Sequence, residues 1–270
     1  MKTFFHVDDV AITDSQFFLI AGPCVIESEA MAREIASETK RIADELQIPY
    51  IFKASFDKAN RSSIDSFRGP GLKEGLWILG AIKEDFGVPV LSDIHESWQA
   101  ELAAEVLSII QIPAFLSRQT DILLAAGKTG LPIHIKKSQF MAPEDMRLAV
   151  KKVEETGNHR VMLGERGTFF GYNNLVVDFR GIPIMKATGC PVVMDASHSV
   201  QKPTAAGQVS GGDPEFIPLM ARAGIVAGAN GLFLEVHPQP DKALSDKGNS
   251  FELKKLKSLL LNLKSLYNVG

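Results

Sequence analysis

Eight short apolar runs recur along this chain, and a longer amphipathic stretch follows each of them. The runs are Phe17–Val25, Ile48–Ser55, Val88–Ile94, Ser108–Ala114, Pro132–Lys137, Arg160–Arg166, Pro191–Ser197 and Gly231–His237. Most are apolar at successive positions rather than at alternate ones. That is the pattern of parallel strands covered on both faces. The stretches between them predict helices over Ser28–Gln47, Leu72–Phe86, Ser97–Leu107, Arg118–Thr129, Pro143–Thr156, Leu175–Lys186, Asp213–Ala227 and Phe251–Tyr267. Ser28 is a natural N-cap for the first of them. In the last, Leu256, Leu259, Leu260 and Leu263 form one stripe, which packs on a sheet or, less commonly, binds a partner.

Eight strand–helix units in a chain of this length predict an α/β fold, a (β/α)8 TIM barrel forming one domain over residues 1–270, with residues 1–16 as a short cap at the barrel bottom. A doubly wound sheet needs fewer units, and no Gly-x-Gly-x-x-Gly follows the first strand. The 45% hydrophobic content supplies a large core. Lys+Arg total 29 against 32 Asp+Glu, a formal net charge of −3, which argues against a nucleic-acid or membrane-surface protein. No run approaches the roughly 20 apolar residues of a membrane helix. The opening residues meet Asp8 and Asp9 at once and lack the apolar centre of a signal peptide. Two cysteines, Cys24 and Cys190, make no disulfide scaffold, so a cytoplasmic setting is expected.

Barrel chemistry belongs at the C-terminal strand ends. Polar residues crowd all eight here, and two groups separate by charge. Lys53, Lys58, Arg61, Arg118, Lys136 and Arg166 form a cationic set. Gathering cations costs mutual repulsion unless an anion or carboxylates neutralise them. A multiply charged phosphorylated substrate is the simplest occupant, since Arg matches phosphate in a two-pronged way and Lys as a point charge. The alternative is ordinary ion pairing with Asp57, Asp93 and Glu96. The second group is Cys24, His198, Glu235 and Asp246, a thiol, an imidazole and carboxylates suited to one divalent transition metal ion. They are far apart in sequence, and only barrel closure brings strands one, seven and eight together. Taken singly, such a Cys is usually a buried hydrophobe and such a His a packing residue. Cys190 precedes its strand and reads as structural. Gly167–Asn174, Gln201–Gly212 and Pro238–Ser250 read as mobile rim loops.

Lys53-Ala54-Ser55-Phe56-Asp57-Lys58-Ala59-Asn60-Arg61-Ser62-Ser63, Gln111-Ile112-Pro113-Ala114-Phe115-Leu116, Arg118-Gln119-Thr120-Asp121 and Phe170-Gly171-Tyr172-Asn173-Asn174-Leu175-Val176-Val177-Asp178 resemble the 3-deoxy-D-manno-octulosonate 8-phosphate synthases. The resemblance runs from about Phe18 to the end of the chain. It implies a transferase of lipopolysaccharide precursor synthesis, a homotetrameric barrel that condenses phosphoenolpyruvate with D-arabinose 5-phosphate. Cys24, where metal-independent members carry Asn, implies the metal-dependent class, with His198, Glu235 and Asp246 as the other ligands of Fe2+, Zn2+, Mn2+ or Co2+. It further implies Lys53, Ser55 and Lys58 at the phosphoenolpyruvate carboxylate, and Gln111, Ala114, Lys136 and Arg166 around its phosphate. Asn60, Arg61 and Ser62 would hold the arabinose phosphate, and Arg118 would reach the sugar phosphate of a neighbouring subunit. His198, Asp93, Lys58 and Asn60 are the expected catalytic groups, Asp93 as a proton-transfer partner. Ser197 departs from the Thr that many relatives carry before the histidine. The nearest rival, the erythrose 4-phosphate-condensing synthase of aromatic biosynthesis, carries Lys-Pro-Arg-Thr-Ser in the second-strand loop, where this chain has Lys58-Ala59-Asn60-Arg61-Ser62-Ser63. A barrel that binds anionic sugars without turnover is the rival from outside enzymology.

Overall fold

A computed structural model describes residues 2–61, 63–169, 174–206 and 209–267. The barrel strands are β3 (Phe18–Gly22), β4 (Tyr50–Lys53), β5 (Val90–Asp93), β6 (Ile109–Ile112), β7 (Ile133–Lys136), β8 (Val161–Glu165), β9 (Val192–Asp195) and β12 (Gly231–His237). They pair in parallel in that order, and β12 pairs with both β9 and β3, which closes the ring. Helices α1 (Glu29–Leu46), α2 (Leu72–Phe86), α3 (Gln99–Ala104), α4 (Thr120–Lys128), α5 (Met146–Glu154), α6 (Gly181–Lys186), α7 (Ile217–Val226) and α8 (Leu256–Tyr267) follow the strands in turn. This is the (β/α)8 barrel that the alternating pattern predicts. The Ser28 side chain caps α1 by accepting from the Met31 N–H at 3.2 Å. The four leucines of the α8 stripe are buried in the core, so that stripe packs internally.

Period-two alternation decides what each strand sends inward. Phe18, Ile20, Ile51, Leu91, Ile109, Met162, Val193 and Phe233 form the apolar interior. One step further along the same inward faces come Lys53, Asp93, Gln111, Lys136, Asp195 and Glu235, all buried. The register aligns these polar ends, with Asp93 opposite Gln111 and Glu235 opposite Gly22. β1 (Thr3–Val7) and β2 (Val10–Thr13) form an antiparallel hairpin whose Phe5, Val7 and Ile12 join the apolar interior from the opposite end.

Three stretches differ from expectation. Gln201–Gly212 is not an open loop but carries an antiparallel pair, β10 (Gln201–Ala206) and β11 (Val209–Gly212). Its Gly- and Ala-rich composition hides strand character. The helix expected over Leu175–Lys186 is confined to α6, because Val176 makes a bridge to Thr168. The helix expected from Phe251 begins only after β13 (Phe251–Glu252), which adds beside β12. Ser62, residues 170–173 within the loop Gly167–Asn174, and residues 207–208 lie outside the described residues.

Candidate active site

A cavity of about 660 Å³ opens at the C-terminal mouth of the barrel. Lys53, Lys58, Asn60, Arg61, Asp93, Gln111, Ala114, Lys136, Arg166, Asp195, His198 and Asp246 all line it. Cys24, Ser55 and Glu235 lie just behind that lining, buried at 5%, 0% and 0% exposure. Arg118 is not brought to this cavity. It is exposed, and its backbone carbonyl accepts from Lys152 Nζ at 2.8 Å.

The cations do pair with acids, though not with the expected ones. Lys53 Nζ is 3.0 Å from Glu235 Oε1 and donates to the Cys24 carbonyl at 2.9 Å. Lys58 Nζ stands 3.7 Å from the same Glu235 oxygen. Lys136 pairs with Asp195, and Arg61 with Asp246 at 3.2 Å. Asp57 binds Arg68 instead, at 2.8 Å. Arg61 is thereby held at the Cys24–Asp246 side of the pocket, where it also donates to Ser245 Oγ at 2.9 Å. One Arg166 terminal nitrogen donates to Gln201 Oε1 at 2.9 Å, and its other terminal nitrogen is buried without a partner among the described residues. Gln111 Oε1 and Gln139 Oε1 are also buried and, among the described residues, unsatisfied. Unpaired buried donors are expensive, so a site of this kind is built to be filled by a hydrogen-bonding ligand. Arg166 supplies the unmet donor that a phosphate or carboxylate needs.

Electrostatics tune these groups differently. Burial lowers the Lys136 ammonium to about 8, with Asp195 opposing and Lys53 and Arg166 adding to the shift. Burial would raise the Asp93 carboxyl, but His95, Lys58 and Lys53 outweigh it and hold it well below the ordinary range. Asp195 is held down in the same way by His198 and Lys136. A strongly ionised Asp93 is a poor base. It accepts hydrogen bonds, from Ser55 Oγ and at 3.0 Å from His95 Nε2, and orients more readily than it takes a proton. Beneath the lysines lies the Phe233 ring, 3.2 Å from Lys136 Nζ and 5.5 Å from Lys53 Nζ measured to its centroid. His134, also under Lys136, is fully buried; burial and Lys136 push its pKa well below the ordinary value, so it is neutral. Gly164 leaves room for it, since a Cβ there would meet His134 Nε2 at 2.8 Å.

Cys24 Sγ, Glu235 and Asp246 present ligand atoms that all lie within 4.8 Å of one another. Burial and the two carboxylates push the Cys24 thiol up strongly. A thiolate there needs a strong positive charge beside it, and Glu235 Oε2 is buried without a hydrogen-bond partner among the described residues. The donor set, one thiol and two carboxylates, therefore fits a divalent metal ion. His198 stands beside that trio rather than within it. Its Nε2 is 3.5 Å from Glu235 Oε1, its Nδ1 is 2.8 Å from Asp195 Oδ2 without hydrogen-bond alignment, and its backbone N–H donates to Asp195 Oδ1 at 2.9 Å, which fixes the residue beside that carboxylate.

The sequence profile of the DAHP synthetase I family matches residues 6–268. The chain belongs to that family. Within it, the chain is similar to proteins named 2-dehydro-3-deoxyphosphooctonate aldolase from three bacteria. It is 55% identical to that of Koribacter versatilis, covering 96% of this chain and 94% of the relative. It is 56% identical to that of Cyanothece sp., covering 94% of each, and 57% identical to that of Desulfatibacillum aliphaticivorans, covering 91% and 90%. The strand-end rule finds the mouth residues but gives Asp195 no role, although it ends its strand like the others. Ser245, Gln201 and Phe233 also escape it. Ser245 and Gln201 sit in rim segments with no distinguishing pattern, and Phe233 reads as one more apolar residue in a buried strand.

Proposed function

We infer that this chain condenses phosphoenolpyruvate with D-arabinose 5-phosphate and water, forming 3-deoxy-D-manno-octulosonate 8-phosphate and inorganic phosphate for lipopolysaccharide precursor synthesis. The observation that carries this is the mouth cavity, in which Lys53, Lys58, Lys136 and Arg166 converge beside the Cys24–Glu235–Asp246 cluster. The names of the most similar relatives point the same way.

In this assignment Lys136, Arg166 and Gln111, near the backbone at Ala114, hold the enol phosphate, and Lys53, Ser55 and Lys58 hold its carboxylate. Asn60, Arg61 and Ser62 receive the sugar phosphate, and Ser62 lies outside the described residues. Holding two mutually repelling anions in register removes much of the entropic barrier, on the order of 7–11 kcal/mol when alignment is good. The methylene carbon of phosphoenolpyruvate then bonds to the aldehyde carbon, and the aldehyde oxygen takes a proton. Positive charge develops at carbon 2, where water adds and loses its proton. The hemiketal phosphate collapses by carbon–oxygen cleavage, and phosphate leaves. Asp93 and His198 face this space. Asp93 orients as an acceptor, and His198, fixed by Asp195, moves the proton. Cys24, Glu235 and Asp246, with His198 alongside, would hold one Fe2+, Zn2+, Mn2+ or Co2+ ion, which when bound supplies Lewis acidity toward an oxygen.

The working form is a homotetramer in the cytoplasm. Arg118 is exposed beside the half-exposed Phe115, as expected of a residue completing a neighbour's site, and no described helix is long and apolar enough to cross a membrane. Phosphate release measured with arabinose 5-phosphate and with erythrose 4-phosphate, on one preparation analysed for metal, tests the assignment. Preference for erythrose 4-phosphate would transfer the chain to the rival reaction, and binding of both sugars without release would make it a non-catalytic barrel.

A further inference from the structure

We propose that Glu27 is a positioning residue that sets the spacing between Cys24 and Asp246; the proposal rests on these two side chains being metal ligands. Glu27 follows Cys24 by three residues in the turn after β3, and it does not line the cavity. Its Oε1 accepts the backbone N–H of Leu244 at 2.8 Å. Leu244 lies two residues before Asp246, so the two ligand-bearing segments are tied together close to the ligands themselves.

The tie acts on the backbone of the Asp246 segment, whose near side is otherwise held through side chains, with Arg61 Nη1 donating to Ser245 Oγ at 2.9 Å and to Asp246 Oδ1 at 3.2 Å, and whose far end is held through the backbone. Asn249 N donates to the Asp246 carbonyl at 3.0 Å, and Ser250 Oγ to the same carbonyl at 3.3 Å. Immediately after Ser250, β13 pairs with β12 and anchors that end of the segment to the barrel. Asp246 itself sits at φ 44°, in the left-handed region that aspartate enters more readily than most non-glycine residues. On the near side, Cys24 Sγ meets Ser245 Oγ at 3.2 Å and Asp246 Oδ2 at 3.4 Å. The Glu27 strut adds a backbone restraint on that side, tying the segment to the turn that carries Cys24. His237 Nε2 stands 3.6 Å from the same carboxylate oxygen, beyond hydrogen-bond reach.

The strut needs an acceptor at the right reach, and charge is incidental. Glu27→Gln keeps an oxygen at the same distance; Glu27→Asp keeps the charge but falls one methylene short. The metal-stripped wild type, both variants and Cys24→Ala are titrated with Co2+ against a chromophoric chelator, and the thiolate-to-cobalt absorption is followed. Glu27→Asp should bind Co2+ about tenfold or more weakly, the usual range for groups that orient ligands, with a weakened thiolate band. Glu27→Gln should stay within about threefold of wild type, and saturating Co2+ should restore the kcat of Glu27→Asp. Wild-type affinity in Glu27→Asp, or equal weakening in Glu27→Gln, overturns the strut. A wild type that binds Co2+ no better than Cys24→Ala overturns the metal assignment itself, a result distinguishable from the other two.

Discussion

Replacing Phe233 by Leu removes the aromatic face on which two buried ammoniums rest. Lys136 Nζ is 3.2 Å from the ring centroid and Lys53 Nζ 5.5 Å. A desolvated cation–π contact contributes up to about 2 kcal/mol, and the nearer lysine carries most of it. One pKa unit corresponds to about 1.4 kcal/mol. Loss of the ring therefore lowers Lys136 by about one unit from its value of about 8. The groups facing this ammonium are Asp195, which favours its charge, Lys53 and Arg166, which oppose it, and the neutral His134. The ring and Asp195 favour the protonated form, so without the ring Lys136 loses its proton at lower pH. On the proposed assignment phosphoenolpyruvate affinity needs the ammonium and is lost as pH rises through that pKa. The assay is kcat/KM for phosphoenolpyruvate between about pH 6 and pH 10, at saturating metal and sugar phosphate, which reports the free enzyme. The wild type should decline above about pH 8, and Phe233→Leu about one unit earlier. Some loss of melting temperature accompanies any such core change, but a stability effect alone leaves the midpoint of the alkaline limb in place. A variant whose limb coincides with wild type refutes the assignment of Lys136 to phosphate binding or the ring's part in it.

Chelation should abolish turnover and added Fe2+, Mn2+, Co2+ or Zn2+ restore it; full activity in a verified metal-free preparation contradicts metal dependence. Cys24→Asn should remove tight metal retention, read by elemental analysis, while keeping some activity. Arg61→Ala should raise KM for the sugar phosphate far more than for phosphoenolpyruvate, whereas equal effects would reassign Arg61 to restraining Asp246, which it contacts at 3.2 Å. Glu235→Ala strands Lys53 as a buried, uncompensated charge and should cost about 3–5 kcal/mol in denaturant unfolding; a loss below about 1 kcal/mol would mean the pair is solvated.

The barrel is legible because all eight of its strands are buried on both faces and so spell themselves as continuous apolar runs. The strand-end rule then locates Lys53, Lys136 and Glu235 without any local motif. The features that stay hidden depend on partners from elsewhere in the chain. Nothing in the sequence around Arg61 says that its guanidinium meets Asp246, or that Lys136 takes Asp195 rather than Asp93. β10 and β11 are obscured by low strand propensity, their pairing being set by backbone register between Gln201 and Gly212. The helix expected at Leu175 is shortened by a single backbone bridge, from Val176 to Thr168, that competes with helical hydrogen bonding. His198 is expected among the ligands, and the structure sets it one step outside the compact thiol–carboxylate trio.

The β1–β2 hairpin fills the far end of the ring with Phe5, Val7 and Ile12. With that end packed by side chains, Lys136, Asp93 and Asp195 face a cavity at the opposite mouth, so among the described residues it is from that side that a ligand reaches them.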